Sequence, residues 1–204
     1  MKTKLLILTL AVLATAGTVA QTQQKPPSAT PKMNAEQQAM MDALQKAGAI
    51  GANHKLLQSF VGEWSYAVKI WMDPAAPPAE GTGNTSYRSL MDGRFVQHEH
   101  TGTLMDMPFH GIGLFGYDNV TKQFQEHFFE NSKTGQMLLN GSYDDASKTF
   151  TFRGEIDDVM KPGTKVKVRE TIRVPDANTL VLEWFETRAG KETKAMEVTY
   201  KRKE

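Results

Sequence analysis

From Trp64 to the end of the chain, hydrophobic and polar residues alternate in short runs that are separated by turn residues. The clearest run covers residues 165–174. One of its faces carries Val166, Val168, Glu170, Ile172 and Val174, and the other carries Lys165, Lys167, Arg169, Thr171 and Arg173. Because successive side chains of a strand point to opposite faces, this period of two predicts a half-buried β-strand.

About ten such runs follow one another with no helical period between them. They lie near residues 63–72, 82–90, 94–103, 109–118, 123–131, 136–144, 149–157, 165–174, 179–187 and 194–202. A meander of this length has two exposed edges unless it closes on itself. The pattern therefore predicts a mainly β fold, a single antiparallel up-and-down barrel whose interior is wide enough for a small ligand. A two-sheet sandwich with a filled core is the alternative.

Two predicted turns share one sequence pattern, Tyr-Asp followed by a hydroxyl residue, Lys and Phe, over residues 117–124 and 143–150. An Asp at the head of a tight turn accepts hydrogen bonds from backbone N–H groups two or three residues later, and a Thr or Ser adds a second local bond. We therefore interpret Asp118 and Asp144 as hairpin residues and not as catalytic ones.

The period becomes helical before the first strand. Asn34 is placed to cap a helix with Gln37 at its third position, and a second short helix is predicted over residues 53–60. The first helix carries an apolar stripe, which we expect to pack on the core or to act as a lid. This stripe consists of Met40, Met41, Leu44 and Ala47.

The first twenty residues have the layout of a secretory signal peptide. Lys2 and Lys4 precede an apolar run over residues 5–13, and small residues continue to Ala20, after which we expect cleavage. The organisation predicted is a signal peptide at 1–20, a disordered proline-rich linker at 21–33, a helical segment at 34–60 and a barrel at 61–204. We expect a periplasmic or secreted protein with no membrane span after cleavage.

Composition excludes several function classes. The 24 Lys and Arg residues balance 23 Asp and Glu residues, which argues against a nucleic-acid binder. There is no Cys, which excludes a thiol nucleophile and a thiolate metal site. We find no nucleophile elbow, phosphate loop or dinucleotide fingerprint, so the sequence predicts no catalytic residue and no cofactor.

Polar residues that the alternation sends toward the barrel interior are candidate ligand contacts. Glu170 shares a face with apolar residues, where it would either anchor a ligand or pair with a buried Arg such as Arg88 or Arg94. Arg88 would bind a carboxylate if it points inward, and Trp184 is a candidate cavity wall. The predicted ligand-binding residues are Arg88, His98, His100, His127, Glu170 and Trp184.

Four histidines lie on three successive predicted strands. His98 and His100 share one strand face, and a hairpin would bring His110 and then His127 beside them. Imidazoles at this spacing are able to hold a metal ion, but a solvated or hydrogen-bonded row is the competing interpretation. We predict no metal at these residues.

The sequence resembles the bacterial domain-of-unknown-function family 1579 and, more broadly, calycin-like (lipocalin-like) barrels. The matching segments are 62–64 (Gly-Glu-Trp), 71–74, 91–95, 111–118, 165–170 and 197–202. The resemblance implies a calycin-like barrel in which Arg202 lies over Trp64 as a plug at one end. It implies no established activity.

These observations lead to three hypotheses. The first is an exported barrel that binds a small hydrophobic or amphiphilic molecule inside, and it requires an open cavity. The second is a metal- or haem-assisted enzyme, which requires converging imidazoles. The third is a filled barrel that acts as an interaction module through its helical segment, and it requires an exposed apolar patch. The sequence pattern favours a binding protein over an enzyme.

Overall fold

The computed structural model describes residues 33–204, which form two helices followed by ten strands. A short 3-10 turn, Met91–Gly93, joins the second strand to the third. The elements are α1 (Ala35–Ala47), α2 (Ala52–Gln58), β1 (Gly62–Ile70), β2 (Ala79–Leu90), β3 (Phe95–Leu104), β4 (Met107–Asp118), β5 (Gln123–Glu130), β6 (Met137–Asp144), β7 (Thr149–Asp157), β8 (Lys165–Asp176), β9 (Thr179–Arg188) and β10 (Lys191–Arg202).

The ten strands form one closed antiparallel barrel. Each strand pairs with its neighbours in sequence, and β1 also pairs with β10, from Trp64 opposite Arg202 to Ile70 opposite Met196. The predicted barrel is therefore confirmed and the sandwich alternative is wrong. Each predicted run corresponds to one strand, with ends that differ by up to three residues.

The two repeated turns have the predicted chemistry. The Val120 N–H and the Thr121 hydroxyl each donate to the Asp118 carboxylate at 2.8 Å, and Ala146 and Ser147 donate to Asp144 in the same way. The Lys that follows each hydroxyl residue has a positive φ, 60° at Lys122 and 53° at Lys148. The local hydrogen bonds therefore stabilise a left-handed corner in both hairpins.

One end of the barrel is closed by α2 and by the Trp–Arg plug. The Trp64 indole donates to the Phe60 carbonyl at 2.8 Å, and the Arg202 guanidinium lies 4.1 Å from the centre of the Trp64 ring. Arg202 also donates to the carbonyls of Val61 at 2.7 Å and Ser59 at 2.8 Å. This arrangement ties the two terminal strands of the barrel to the segment that follows α2.

The other end of the barrel, which we call the mouth, is less tightly covered. Apolar side chains at the plugged end, such as Phe60, Trp64 and Phe150, are almost fully buried. Inward residues at the mouth are only partly buried, and they are Ile70, Leu104, Phe128, Ile156 and Met196. Burial therefore decreases along the barrel axis from α2 toward the mouth.

Helix α1 has the predicted capping box, but its apolar stripe is exposed. Asn34 accepts from the Gln37 N–H, yet Met40 is 67% exposed and Leu44 is 58% exposed, and no residue of α1 is buried. The expectation that the stripe packs on the core is wrong, because α1 is joined to the barrel only near its C-terminus, where Asn119 donates to the carbonyls of Ala47 and Ala49.

The predicted signal peptide, and the predicted linker except for Met33, lie outside the described residues. Within residues 33–204, neither helix has the length and apolar character needed to cross a membrane.

Candidate functional site

Polar side chains occupy the middle of the barrel interior, between the plugged end and the mouth. They come from five strands and all are buried. We refer to them as the interior cluster. Its members are Thr85 and Tyr87 of β2, His98 and His100 of β3, Glu126 of β5, Glu170 of β8 and Tyr200 of β10.

The two histidines of the cluster are hydrogen-bonded to each other, with His98 Nδ1 2.8 Å from His100 Nε2. The His98 ring also stacks between the rings of Tyr87, at 5.5 Å, and Phe115, at 4.5 Å. Burial lowers the pKa of His98 well below its usual value and lowers the pKa of His100 to about 4. Both imidazoles are therefore neutral at neutral pH, and an N–H group of one ring donates the hydrogen bond between them.

The two carboxyl groups of the cluster meet across the barrel, since β5 and β8 are not paired with each other. The Glu126 and Glu170 carboxyls lie close enough for each to affect the pKa of the other. Burial raises the pKa of Glu126 to about 7 and raises the pKa of Glu170 well above its usual value, where the nearby Glu126 charge adds to the effect. Because burial and the neighbouring carboxyl hold a proton on the pair near neutral pH, the two groups behave as an acid and its conjugate base that share one proton.

Four buried polar atoms of the cluster have no hydrogen-bond partner among the described residues. They are Thr85 Oγ1, His98 Nε2, Glu126 Oε2 and Glu170 Oε1. A buried polar atom without a partner costs about 1–3 kcal/mol of stability. The proton retained by the carboxyl pair gives no partner to the Thr85 hydroxyl or the His98 ring nitrogen, and Glu126 Oε2 and Glu170 Oε1 also have none among the described residues.

Aromatic rings surround the cluster and cover its mouth side. The Phe128 ring stacks on His98 at 5.7 Å and meets His100 edge-on at 5.8 Å, and the Tyr66 ring lies 6.0 Å from His100. Two hollows, of about 470 and 320 Å³, open on the outer surface of the described residues. Neither hollow is lined by a residue of the interior cluster.

Four of the six predicted ligand-binding residues face the interior. His98, His100 and Glu170 belong to the cluster, and Trp184 lies directly opposite Glu170 on β9. Trp184 also donates to the Glu186 carboxylate at 3.4 Å, near the mouth.

The other two predicted residues, Arg88 and His127, lie on the outer surface. Arg88 follows the inward Tyr87, and His127 lies between the inward residues Glu126 and Phe128, so strand alternation turns both outward. Arg88 does not point inward, as it would have to do in order to bind a carboxylate inside the barrel. A molecule inside the barrel contacts neither side chain.

The alternative of a band of four converging imidazoles is also wrong. His110 faces outward, where its ring nitrogen lies 2.9 Å from a Glu99 carboxylate oxygen. Only His98 and His100 therefore remain together. No group of three or more His, Asp or Glu side chains in residues 33–204 is arranged to hold a metal ion.

The predicted pairing of Glu170 with an arginine is wrong as well. Arg88 is on the outer face, and Arg94 donates to the carbonyls of Met91 and Gly48. The actual neighbour is Glu126, which was not predicted from the sequence. The alternation does carry a signal for it, because Glu126 shares a strand face with Phe124 and Phe128 as Glu170 does with valines.

Two solved structures share this fold. The crystal structure of Rv2717c from M. tuberculosis has a TM-score of 0.54 at 12% identity and covers 76% of this chain and 100% of its own. The S-type phycobiliprotein lyase CPES from Guillardia theta has a TM-score of 0.55 at 10% identity and covers 76% of this chain and 94% of its own. At these identities the likeness concerns the fold alone.

A comparison with curated proteins gives no match. Residues 49–202 match a family described as "Protein of unknown function (DUF1579)", and this span includes α2 and all ten strands. The calycin-like barrel implied by the sequence resemblance is therefore confirmed, and the chain belongs to the DUF1579 family.

Proposed function

We propose that this protein binds a small, largely apolar molecule inside its barrel, with the polar part of that molecule at the interior cluster. The observation that carries the proposal is the set of unpartnered buried polar atoms at one level of the interior. Such atoms are costly in a folded protein, and a bound ligand that offers hydrogen bonds to His98 Nε2 and Thr85 Oγ1 removes that cost.

The distribution of apolar residues supports an entry route through the mouth. Phe128 and Met196 are partly buried there, whereas the opposite end is closed by α2, Phe60 and the Trp64 plug. A ligand that enters at the mouth displaces the Phe128 ring before it reaches His98. The apolar part of the ligand then lies among the aromatic and aliphatic side chains near the mouth.

We also propose that the protein works after export, in the periplasm or outside the cell. The support for this step is the arrangement of Lys2, Lys4 and the apolar run at residues 5–13. N-terminal sequencing of the protein recovered from periplasmic and culture fractions tests it, and we expect the mature chain to begin at Gln21.

A second candidate function is favoured by α1. Its side chains Met40, Met41 and Leu44 are exposed on a helix that the barrel holds at one end only. A filled barrel that presents this helix to another protein accounts for the exposed stripe without an interior ligand.

Native mass spectrometry, combined with an absorbance spectrum of protein purified from its exported fraction, separates the two functions. Interior binding predicts extra mass that disappears on denaturation, and a reduced amount of that mass in His98→Ala. His127→Ala is the matched control, because its imidazole lies on the outer surface of the barrel. If the wild type carries no extra mass and no apolar dye binds, the interior-binding function is wrong.

A further inference from the structure

The charge of the interior cluster indicates what kind of head group it accepts. The acidic side chains of the cluster are the carboxyls of Glu126 and Glu170, whereas burial lowers the pKa of both histidines and keeps them neutral. No Lys or Arg among residues 33–204 is buried. The carboxyl pair therefore has no positive partner within the described barrel, and its charge is offset only by a shared proton.

The groups around the pair suit a positive charge. The hydroxyls of Tyr87 and Tyr200 lie near the two carboxyls, and a hydroxyl oxygen can accept hydrogen bonds. The rings of Tyr66 and Phe128 lie at the same level of the barrel on the mouth side. Aromatic faces attract cations, and carboxylates form their strongest hydrogen bonds with charged donors.

From this geometry we infer that the head group bound at the interior cluster is a protonated amine, held between the Glu126 and Glu170 carboxyls and bonded to their two unpartnered oxygens. This inference rests on the proposed interior binding and names the chemical class of its ligand. The ammonium takes the place of the proton that the two carboxyls otherwise share, and that proton is released to solvent. The apolar part of the amine lies toward the mouth.

The same geometry disfavours the other head groups. A carboxylate or phosphate at this level meets the negative carboxyl pair with no buried Arg or Lys of the described residues to bind it, and burial strengthens that repulsion. An alcohol offers one donor and carries no charge, so it leaves the pair without a counter-ion. The cluster therefore discriminates by charge among molecules with the same apolar body.

A matched series of probes tests the inference. 2-Phenylethylamine, 2-phenylethanol and 3-phenylpropanoate share a phenyl group on a short chain and differ in charge at the end of that chain. Each is titrated into the full mature protein loaded with Nile red, an uncharged apolar dye, and displacement is followed by fluorescence at pH 7.5. We expect the amine to bind about tenfold or more tightly than the alcohol, as a charge-assisted hydrogen bond implies.

Three variants complete the experiment. Glu126→Gln and Glu170→Gln keep the shape of the carboxyls, and we expect each to abolish the preference for the amine over the alcohol. Glu99→Gln is the control, because its carboxylate lies on the outer face beside His110 and we expect it to keep the preference. Thermal melting confirms that every variant is folded.

The inference and the proposed function fail in different ways. If Nile red binds and the alcohol or the carboxylate displaces it as well as the amine does, the ammonium inference is wrong while interior binding stands. The ammonium inference is also wrong, and interior binding again stands, if both Gln variants still prefer the amine over the alcohol. If neither Nile red nor any of the three probes binds, both are wrong.

Discussion

At the scale of single residues, Gly113 shows how the cluster is built. It lies on β4 opposite His98, and a Cβ atom at this position would overlap the His98 ring and the His127 carbonyl. Only a glycine lets the imidazole lie flat against the strand between Tyr87 and Phe115. The stacked geometry of His98 thus depends on a missing side chain on the neighbouring strand.

We therefore expect Gly113→Ala to lower the free energy of unfolding by about 1–3 kcal/mol, the usual cost of overpacking. The added methyl group also displaces His98 and breaks its bond to His100. Urea denaturation measures the first effect, and the imidazole resonances in NMR spectra report the second. Gly135→Ala is the control, because a Cβ atom added there meets no other atom within 4 Å and its loop is exposed. Equal stability of the two variants would show that the His98 ring is free to move.

At the scale of elements, the Trp64 plug joins the first and last strands to the segment after α2. Arg202 stacks on the Trp64 ring and also donates to three backbone carbonyls, at Ser59, Val61 and Ala177. A lysine keeps the charge but has neither the planar stacking face nor the forked donors of a guanidinium.

Arg202→Lys is expected to destabilise the barrel by about 1–3 kcal/mol, since hydrogen bonds from a charged donor to backbone carbonyls are lost. Chemical denaturation monitored by Trp fluorescence follows this change, because Trp64 lies directly beneath the guanidinium. Arg173→Lys, on the exposed face of β8, is the matched control. A loss no larger than that of the control would mean that α2 and Trp64 close the barrel without the arginine.

The two repeated hairpins give a second prediction at this scale. Asp118→Ala and Asp144→Ala each remove the acceptor that holds a left-handed Lys corner, so we expect each to lower the urea midpoint, as for a lost capping residue. Asp157→Ala is the control, because that carboxylate forms a surface ion pair with Lys165 and caps no turn. The change in urea midpoint provides the measurement, and a control that loses as much as the two turn variants would contradict the turn interpretation.

Elements were more predictable than sites, for a physical reason. A strand that is half buried must alternate along its whole length, so all ten strands could be identified from many residues at once. A site depends on single residues and on which strands face each other across the barrel. The pairing of Glu170 with Glu126 illustrates this, because the two residues lie on unpaired strands and no local pattern relates them. The outward direction of Arg88 and His127, by contrast, follows from alternation once the inward faces of their strands are known.

At the scale of the whole molecule, the interior cluster makes stability depend on pH in two opposite ways. Burial lowers the pKa values of His98 and His100. Below about pH 6.5 these histidines therefore bind protons in the unfolded chain but not in the folded chain. This contribution to stability is present above pH 6.5 and is lost as the pH falls toward 4. The pKa values of Glu126 and Glu170 are raised, so the folded chain retains protons that the unfolded chain has released. Their contribution is present below about pH 4.5 and is lost as the pH rises through 7.

Between about pH 4.5 and 6.5 the two effects oppose each other, and above pH 6.5 only the carboxyl contribution still changes with pH. We therefore expect the free energy of unfolding to fall above pH 6.5, by about 1.4 kcal/mol per pH unit for each proton that the folded chain alone retains. The double variant Glu126→Gln/Glu170→Gln should remove this alkaline decline and leave the decline below pH 4.5, because that limb comes from the histidines and from surface carboxylates whose pKa values are lowered, such as Asp118 and Asp144. Urea unfolding at half-unit steps from pH 4 to 9 measures both limbs. The titration stops at pH 9 because the tyrosines of the cluster, whose pKa values burial raises in the fold, begin to ionise in the unfolded chain above that pH. A wild type with constant stability between pH 6.5 and 9, or a double variant that declines as steeply as the wild type, would show that the two carboxyls do not share a buried proton.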